Sequence, residues 1–170
     1  DYIKIRHYFK EKLEKFGATP QGLDWNSTEA QNIRFEQLIK VINAYENFSI
    51  LDYGCGFGSL FDLLITRRYK FYYIGYDIVE EMIQKGKEIH ENYENCFFTD
   101  DETDLVPVDY VVESGIFNVK QSENYDEWTA YILNTLEKMN SLAKKGMAFN
   151  LLTNYVDKEY IRPDLYYADP

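Results

Sequence analysis

The chain has 170 residues, 45% of them hydrophobic, with 29 acidic against 18 basic side chains and a net charge of −11. That length can bury one sizeable core. The charge repels phosphate backbones, which argues against nucleic acid as a partner, and no apolar run approaches the roughly 20 residues that cross a bilayer.

Tyr8, Phe9, Leu13 and Phe16 recur at helical spacing, and Gly17-Ala18-Thr19-Pro20 stops that helix. A second helix is expected to open near Asn26, with Glu29 completing a capping box, and to bury Phe35, Leu38, Ile39, Ile42 and Tyr45. Residues 1–46 thus read as a helical cap, and residues 47–170 as the core of the same domain. Ser49-Ile50-Leu51 is a short apolar strand that breaks into Asp52-Tyr53-Gly54-Cys55-Gly56-Phe57-Gly58, and the apolar stripe from Leu60 to Ile65 opens a helix at once. A glycine loop between strand and helix lets a ligand approach the backbone, and free N–H groups at the helix start favour an anionic group, the arrangement that cradles a nucleoside cofactor.

Phe71 to Tyr76 forms a second strand ending in Asp77, 23 positions after Gly54, where an acid reads ribose hydroxyls. Val79-Glu80-Glu81-Met82-Ile83 begins an amphipathic helix, in which His90 reads as solvated. Cys96 to Thr99 is a third strand ending in Asp100 and Asp101, Val108 to Val112 a fourth running into Glu113-Ser114-Gly115-Ile116-Phe117-Asn118, and Gly146 to Leu152 a fifth. Between the last two, Trp128, Tyr131, Ile132, Thr135, Leu136, Met139 and Leu142 form one face of a long helix, capped at Asn124. Strands alternating with helices predict an α/β fold: a three-layer, doubly wound, mostly parallel sheet of Rossmann-like type. Cys55 and Cys96 look placed for no disulfide, which favours a cytoplasmic location. No Cys/His cluster has metal spacing, and no catalytic metal is expected.

The spacing Asp-x-Gly-x-Gly-x-Gly differs from the usual dinucleotide loop, because Ser59 stands where a third glycine would be needed and Asp52 would repel a pyrophosphate. The pattern resembles the S-adenosylmethionine (SAM) site of class I methyltransferases. The resemblance implies SAM as cofactor and S-adenosylhomocysteine (SAH) as product. It also implies that Asp52, Gly54, Cys55, Gly56 and Gly58 hold the amino-acid end. Asp77 would bind the ribose, Ile78 would pack on the adenine, Asp100 or Asp101 would meet the adenine amino group, and Glu113 and Ser114 would face the sulfonium. The stretch from Gly22 to Phe35 is similar to the pocket-forming start of bacterial small-molecule members.

On that basis the acceptor pocket is expected among Tyr8, Trp25, Arg34, Phe117 and Asn118. Trp25 is either an aromatic wall or an anchor for the helix start, and Arg34 either a ligand contact or a solvated helix residue. His7 and Glu113 are the candidate bases, the latter alternatively a partner for the SAM ammonium. The loop from Glu113 to Asn118 lacks the Asn-Pro-Pro-Tyr form that in this family binds an amino group for N-methylation of bases or glutamine, which disfavours that branch. The expected activity is methyl transfer to a small molecule, at oxygen. The alternatives are a non-catalytic SAM-binding partner and an NAD-dependent oxidoreductase. Class I methyltransferases usually carry a sixth and a seventh strand, for which too few residues follow Thr153, so the chain is expected to be C-terminally truncated. The open edge left by the fifth strand would be available to a second copy in a homodimer.

Overall fold

The computed structural model describes residues 2–170. Helix α1 (Tyr2–Phe16) and helix α2 (Thr28–Leu38) precede strand β1 (Phe48–Tyr53). Helix α3 (Ser59–Thr66), β2 (Phe71–Tyr76), α4 (Glu80–Ile89), β3 (Cys96–Thr99), β4 (Val108–Glu113), α5 (Tyr125–Leu142) and β5 (Ala143–Phe149) follow. The five strands form one sheet in the order β3-β2-β1-β4-β5, every neighbouring pair parallel. The order reverses between β1 and β4, so their C-terminal ends splay the following loops apart and leave a crevice, the place where ligands bind in doubly wound sheets.

The central strands are buried on both faces: Ile50, Leu51, Tyr73, Val111 and Val112 are all inaccessible. One layer packs Phe35, Leu38, Phe61, Leu64 and Phe98 against the sheet. The other packs Phe117, Trp128, Ile132 and Met139. Helix α1 crosses the open end, with Phe9 and Leu13 against the cluster of Phe57, Val79 and Met82.

Several boundaries differ from the sequence-based expectation. The cap of α2 is Ser27, whose Oγ accepts from the Ala30 N–H at 3.1 Å, one residue later than Asn26. Ser27→Ala should cost about 1 kcal/mol, or 2–4 °C in Tm for a chain of this size, read by thermal unfolding. Strand β5 begins at Ala143, three residues before the expected Gly146, because α5 runs into it without a connecting loop. An edge strand tolerates the charge of Lys144 and Lys145, and Lys145 pairs with Glu46 at 3.3 Å and Asp109 at 3.4 Å. Tyr45, expected inside, is fully exposed, because α2 ends at Leu38 and the chain then turns away. His90, expected in solvent, is buried between the Gly86 carbonyl (2.9 Å) and Asp62 (3.0 Å) and stacks on Phe98. Burial lowers the proton affinity of its imidazole, but the Asp62 and Gly86 contacts outweigh that and leave the pKa above the ordinary value.

Beyond β5 the chain folds back over the loop that follows β4. The Tyr166 N–H donates to the Asn118 carbonyl at 2.8 Å, and Val119 bridges Leu165 in antiparallel fashion. Among the described residues no helix is long and apolar enough to cross a membrane, and no cluster of His, Cys, Asp or Glu is arranged to hold a metal.

Candidate functional site

The loop after β1 is pinned to the end of β2. The Gly54 and Cys55 N–H groups both donate to the Tyr76 carbonyl, at 2.7 and 3.0 Å. The Gly56 N–H donates to Asp77 Oδ2 at 2.8 Å, and Asp77 Oδ1 accepts from the Val79 N–H at 2.9 Å. Gly54 and Gly56 stand at φ of +87° and +55°, a region that side chains disfavour, and a Cβ on either would strike Ile116 or Leu23. Asp77 is thus a latch between the loop and the start of α4. Burial raises its pKa, against the pull of the Val79, Gly56 and Ile78 N–H groups.

This latch lies on the wall of a cavity of about 480 Å³ that opens between the strand ends and the helical cap. Gly54, Cys55, Gly56, Asp52, Asp77, Ile78, Asp100 and Ser114 all line it. Asp52, almost wholly buried, accepts from Tyr73 Oη at 2.7 Å, and burial, with the charge of Asp77, pushes its carboxyl up to about 7. The Cys55 thiol is driven well above its ordinary pKa by burial, which makes it an inert wall. On the cap side the cavity meets Trp25, Arg34 and Asn118. Arg34 lies over the Trp25 ring, 4.8 Å from its centroid, and the indole packs on Gly115 in the loop after β4. Asn118 Oδ1 accepts from the Leu152 N–H at 3.1 Å, and Asn150 donates to Ser114 Oγ at 2.9 Å, so the segment after β5 braces the loop.

Six of the expected site residues stand elsewhere. His7 is on the exposed side of α1, 3.1 Å from Glu11, and does not line the cavity. Tyr8 is turned to Asp24, to which its hydroxyl donates at 2.8 Å. Phe117 is wholly buried against Tyr131 and Phe149, since the chain turns it under the sheet edge rather than into the crevice. Gly58 faces Phe98 and His90, where a Cβ would come within 2.6 Å of the phenyl ring, so this glycine serves packing. Of the two acids after β3, Asp101 caps the next turn through the Thr103 N–H and hydroxyl at 2.8 and 2.7 Å, which leaves Asp100 at the cavity.

Glu113 is the sixth. It is fully buried behind the wall formed by Ser114, Gly115 and Ile116, its Oε1 accepting from the Ile116 N–H at 2.6 Å. Its Oε2 has no hydrogen-bond partner among the described residues. Burial pushes this carboxyl up to about 8, against the pull of backbone N–H groups and with a further push from Asp52.

The sequence reading missed part of the lining. Tyr53 and Tyr76 pair in the β1–β2 register, their rings 4.9 Å apart, and Tyr53 Oη donates to Glu102 at 2.8 Å. Equal distances of the two tyrosines from their loops carried that signal. Arg6, Gln31, Arg162 and Leu165 also line the cavity, and nothing in local spacing connects them.

Comparison with known proteins adds three observations. The family described as "Methyltransferase domain" matches residues 45–163. A protein of Mycobacterium tuberculosis named "Putative methyltransferase Rv1506c" is 41% identical over 132 residues, covering 78% of this chain and 80% of its own. Among solved structures, the mycolic acid cyclopropane synthase CmaA1, complexed with SAH and CTAB, superposes with a TM-score of 0.57 at 21% identity over 76% of this chain and 45% of its own. The structure named "putative sarcosine dimethylglycine methyltransferase from Galdieria sulphuraria" gives 0.56 at 16% over 77% and 52%. At such identities the likeness is one of fold, and the chain spans about half the length of these solved proteins.

Proposed function

Because the chain belongs to the methyltransferase-domain family, we propose that it binds SAM in the crevice at the ends of β1, β2 and β4 and directs the methyl group to a small molecule. The observation that carries this reading is the Asp77 latch: one carboxylate faces the cavity and, through the Gly56 N–H, holds the glycine loop. Its two oxygens accept from the Gly56 and Val79 N–H groups, and a carboxylate has further lone pairs for a ribose hydroxyl. Asp100 is placed for the adenine amino group, Ile78, Val79 and Met82 for the face of the base, and Asp52 with the Gly54–Gly56 backbone for the amino-acid end. A cavity of about 480 Å³ lies within the 300–1,000 Å³ or so of small-molecule and cofactor sites.

The cofactor, when bound, supplies an electrophilic methyl group on a sulfonium. The chain's own contribution is orientation and exclusion of water, which in favourable cases lowers a barrier by about 7–11 kcal/mol. Ser114, Gly115 and Ile116 form the wall nearest the acceptor, and Trp25 closes over Gly115. Oxygen is the reading of the methylated atom, and the loop at 113–118, which lacks the Asn-Pro-Pro-Tyr form, speaks against N-methylation of bases or glutamine alone.

Asp77→Ala tests the latch by isothermal titration with SAH. Losing a charge-assisted hydrogen bond of about 1.5–3 kcal/mol should weaken affinity about 10- to 150-fold. An unchanged affinity would remove Asp77 from the ribose role, and a wild-type chain that binds neither SAM nor SAH would end the reading as a whole.

A further inference from the structure

Resting on this reading of the donor site, we propose that the acceptor carries an anionic group, a carboxylate or a phosphate, held by Arg6 and Arg162 on the wall of the cavity.

The distribution of charge carries the argument. The chain's net charge is −11, and its arginines are only Arg6, Arg34, Arg67, Arg68 and Arg162. Three of those five, from α1, from α2 and from the segment folded back after β5, line one cavity, and none of its 13 lysines does. The guanidinium is the cation whose planar fork matches carboxylate and phosphate oxygens two at a time.

The Arg6 guanidinium is exposed and has no hydrogen bond or ion pair among the described residues. Arg162 engages Asp164 through Nε at 3.2 Å and Nη2 at 2.5 Å, which fixes its plane and leaves Nη1 for another oxygen. Arg34 spends one N–H on the Ala30 carbonyl at 3.0 Å and is held flat by Trp25. The acid on this side of the cavity, Asp24, is already satisfied by Tyr8 Oη at 2.8 Å and Lys12 Nζ at 2.7 Å.

The remaining acids of the lining stand apart from the arginines. Asp52 is on β1, Asp77 follows β2, and Asp100 and Glu102 follow β3. One cavity therefore has a carboxylate side on the sheet and a guanidinium side on the cap and tail. The donor's ammonium and sulfonium belong on the first, its single carboxylate leaves it a net cation, and an anionic acceptor on the second is drawn toward the methyl group it carries.

The test uses the full chain saturated with SAH and three aromatic probes chosen because Phe9, Trp25 and Tyr131 share the lining: 4-hydroxybenzoate, phenyl phosphate and the neutral 4-hydroxybenzamide, titrated by NMR at low salt. At least one anion should bind tenfold or more tightly than the amide, and the better of the two identifies carboxylate or phosphate. Arg6→Gln and Arg162→Gln should each reduce that preference fivefold or more, with SAH affinity and Tm unchanged. Equal binding of the anions and the amide, or a preference that survives both substitutions, would overturn the proposal. The anions are also titrated without SAH. If SAH fails to bind the wild-type chain while the arginine-dependent preference persists, the anion site stands and the donor-site reading alone falls.

Discussion

Phe61→Ala should lower stability by about 3–5 kcal/mol, the range for emptying a buried aromatic site, and Tm by roughly 6–20 °C. Phe61 is inaccessible to solvent, and four rings surround it: Phe71 at 5.5 Å, Tyr73 at 5.4 Å, His90 at 5.0 Å and Tyr93 at 4.9 Å between centroids. Each meets Phe61 edge to face, the geometry that adds to simple burial. Tyr73 on β2 and His90 just past the end of α4 are fixed by the sheet and by hydrogen bonds, so the site cannot collapse far. Calorimetry on Phe61→Ala and on Tyr45→Ala, whose side chain is fully exposed, makes the comparison internal. Tyr45→Ala should leave Tm within about 1 °C, as surface substitutions do. A loss below 2 °C for Phe61→Ala would show that the cluster repacks and that α3 is not anchored through this ring.

The contrast between these two aromatics shows where the sequence is legible. The strands β2 and β3 could be read residue for residue, because an apolar run bounded by polar turns is a complete local description of a buried parallel strand. The glycine loop and the acid after β2 were legible for the same reason, since their meaning depends on a short strand-turn-helix context. Tyr45 continued a helical period beyond the point where α2 stops, and periodicity carries no information about that stop. His90 looked solvated among Lys87, Glu88 and Glu91, yet its partners, Asp62 and Phe98, come from two other elements. The guanidinium side of the cavity was hidden because Arg6, Arg34 and Arg162 meet only when the helical cap and the tail close over the sheet. Phe117 and Glu113 show the limit from the other side. Their loop was located correctly, but which of its side chains face the crevice is decided by φ of +106° at Gly115, a turn that composition does not specify.

Stability should fall as pH rises from about 5 to 8, with Glu113 making the largest single contribution. Burial holds this carboxyl at about 8 in the folded chain, against 4.5 when unfolded. The folded state therefore binds the proton more tightly across that window, and the linkage relation makes stability decrease with pH. The effect is absent below the unfolded pKa, grows through the window and levels off above the folded value, reaching roughly 5 kcal/mol. Asp52, pushed to about 7 from 3.8, has the same sign, and its charge couples to Glu113, so the two titrate in joint steps. His90, with a raised pKa, also loses its contribution as pH rises. The depressed acids Asp101, Asp109 and Asp164 act at lower pH and leave the window unopposed. Glu113→Gln keeps an oxygen for the Ile116 N–H and removes the titration. Its Tm difference between pH 5.5 and 8.5 should be less than half that of the wild type, and at pH 8.5 it should be the more stable protein. Identical profiles would mean that Glu113 does not govern the window. SAH affinity of the same variant then separates two roles for the residue. Retained affinity makes it a buried brace for the wall of Ser114 to Ile116, whereas a loss of tenfold or more at constant stability makes its unpartnered Oε2 a contact for the cofactor ammonium.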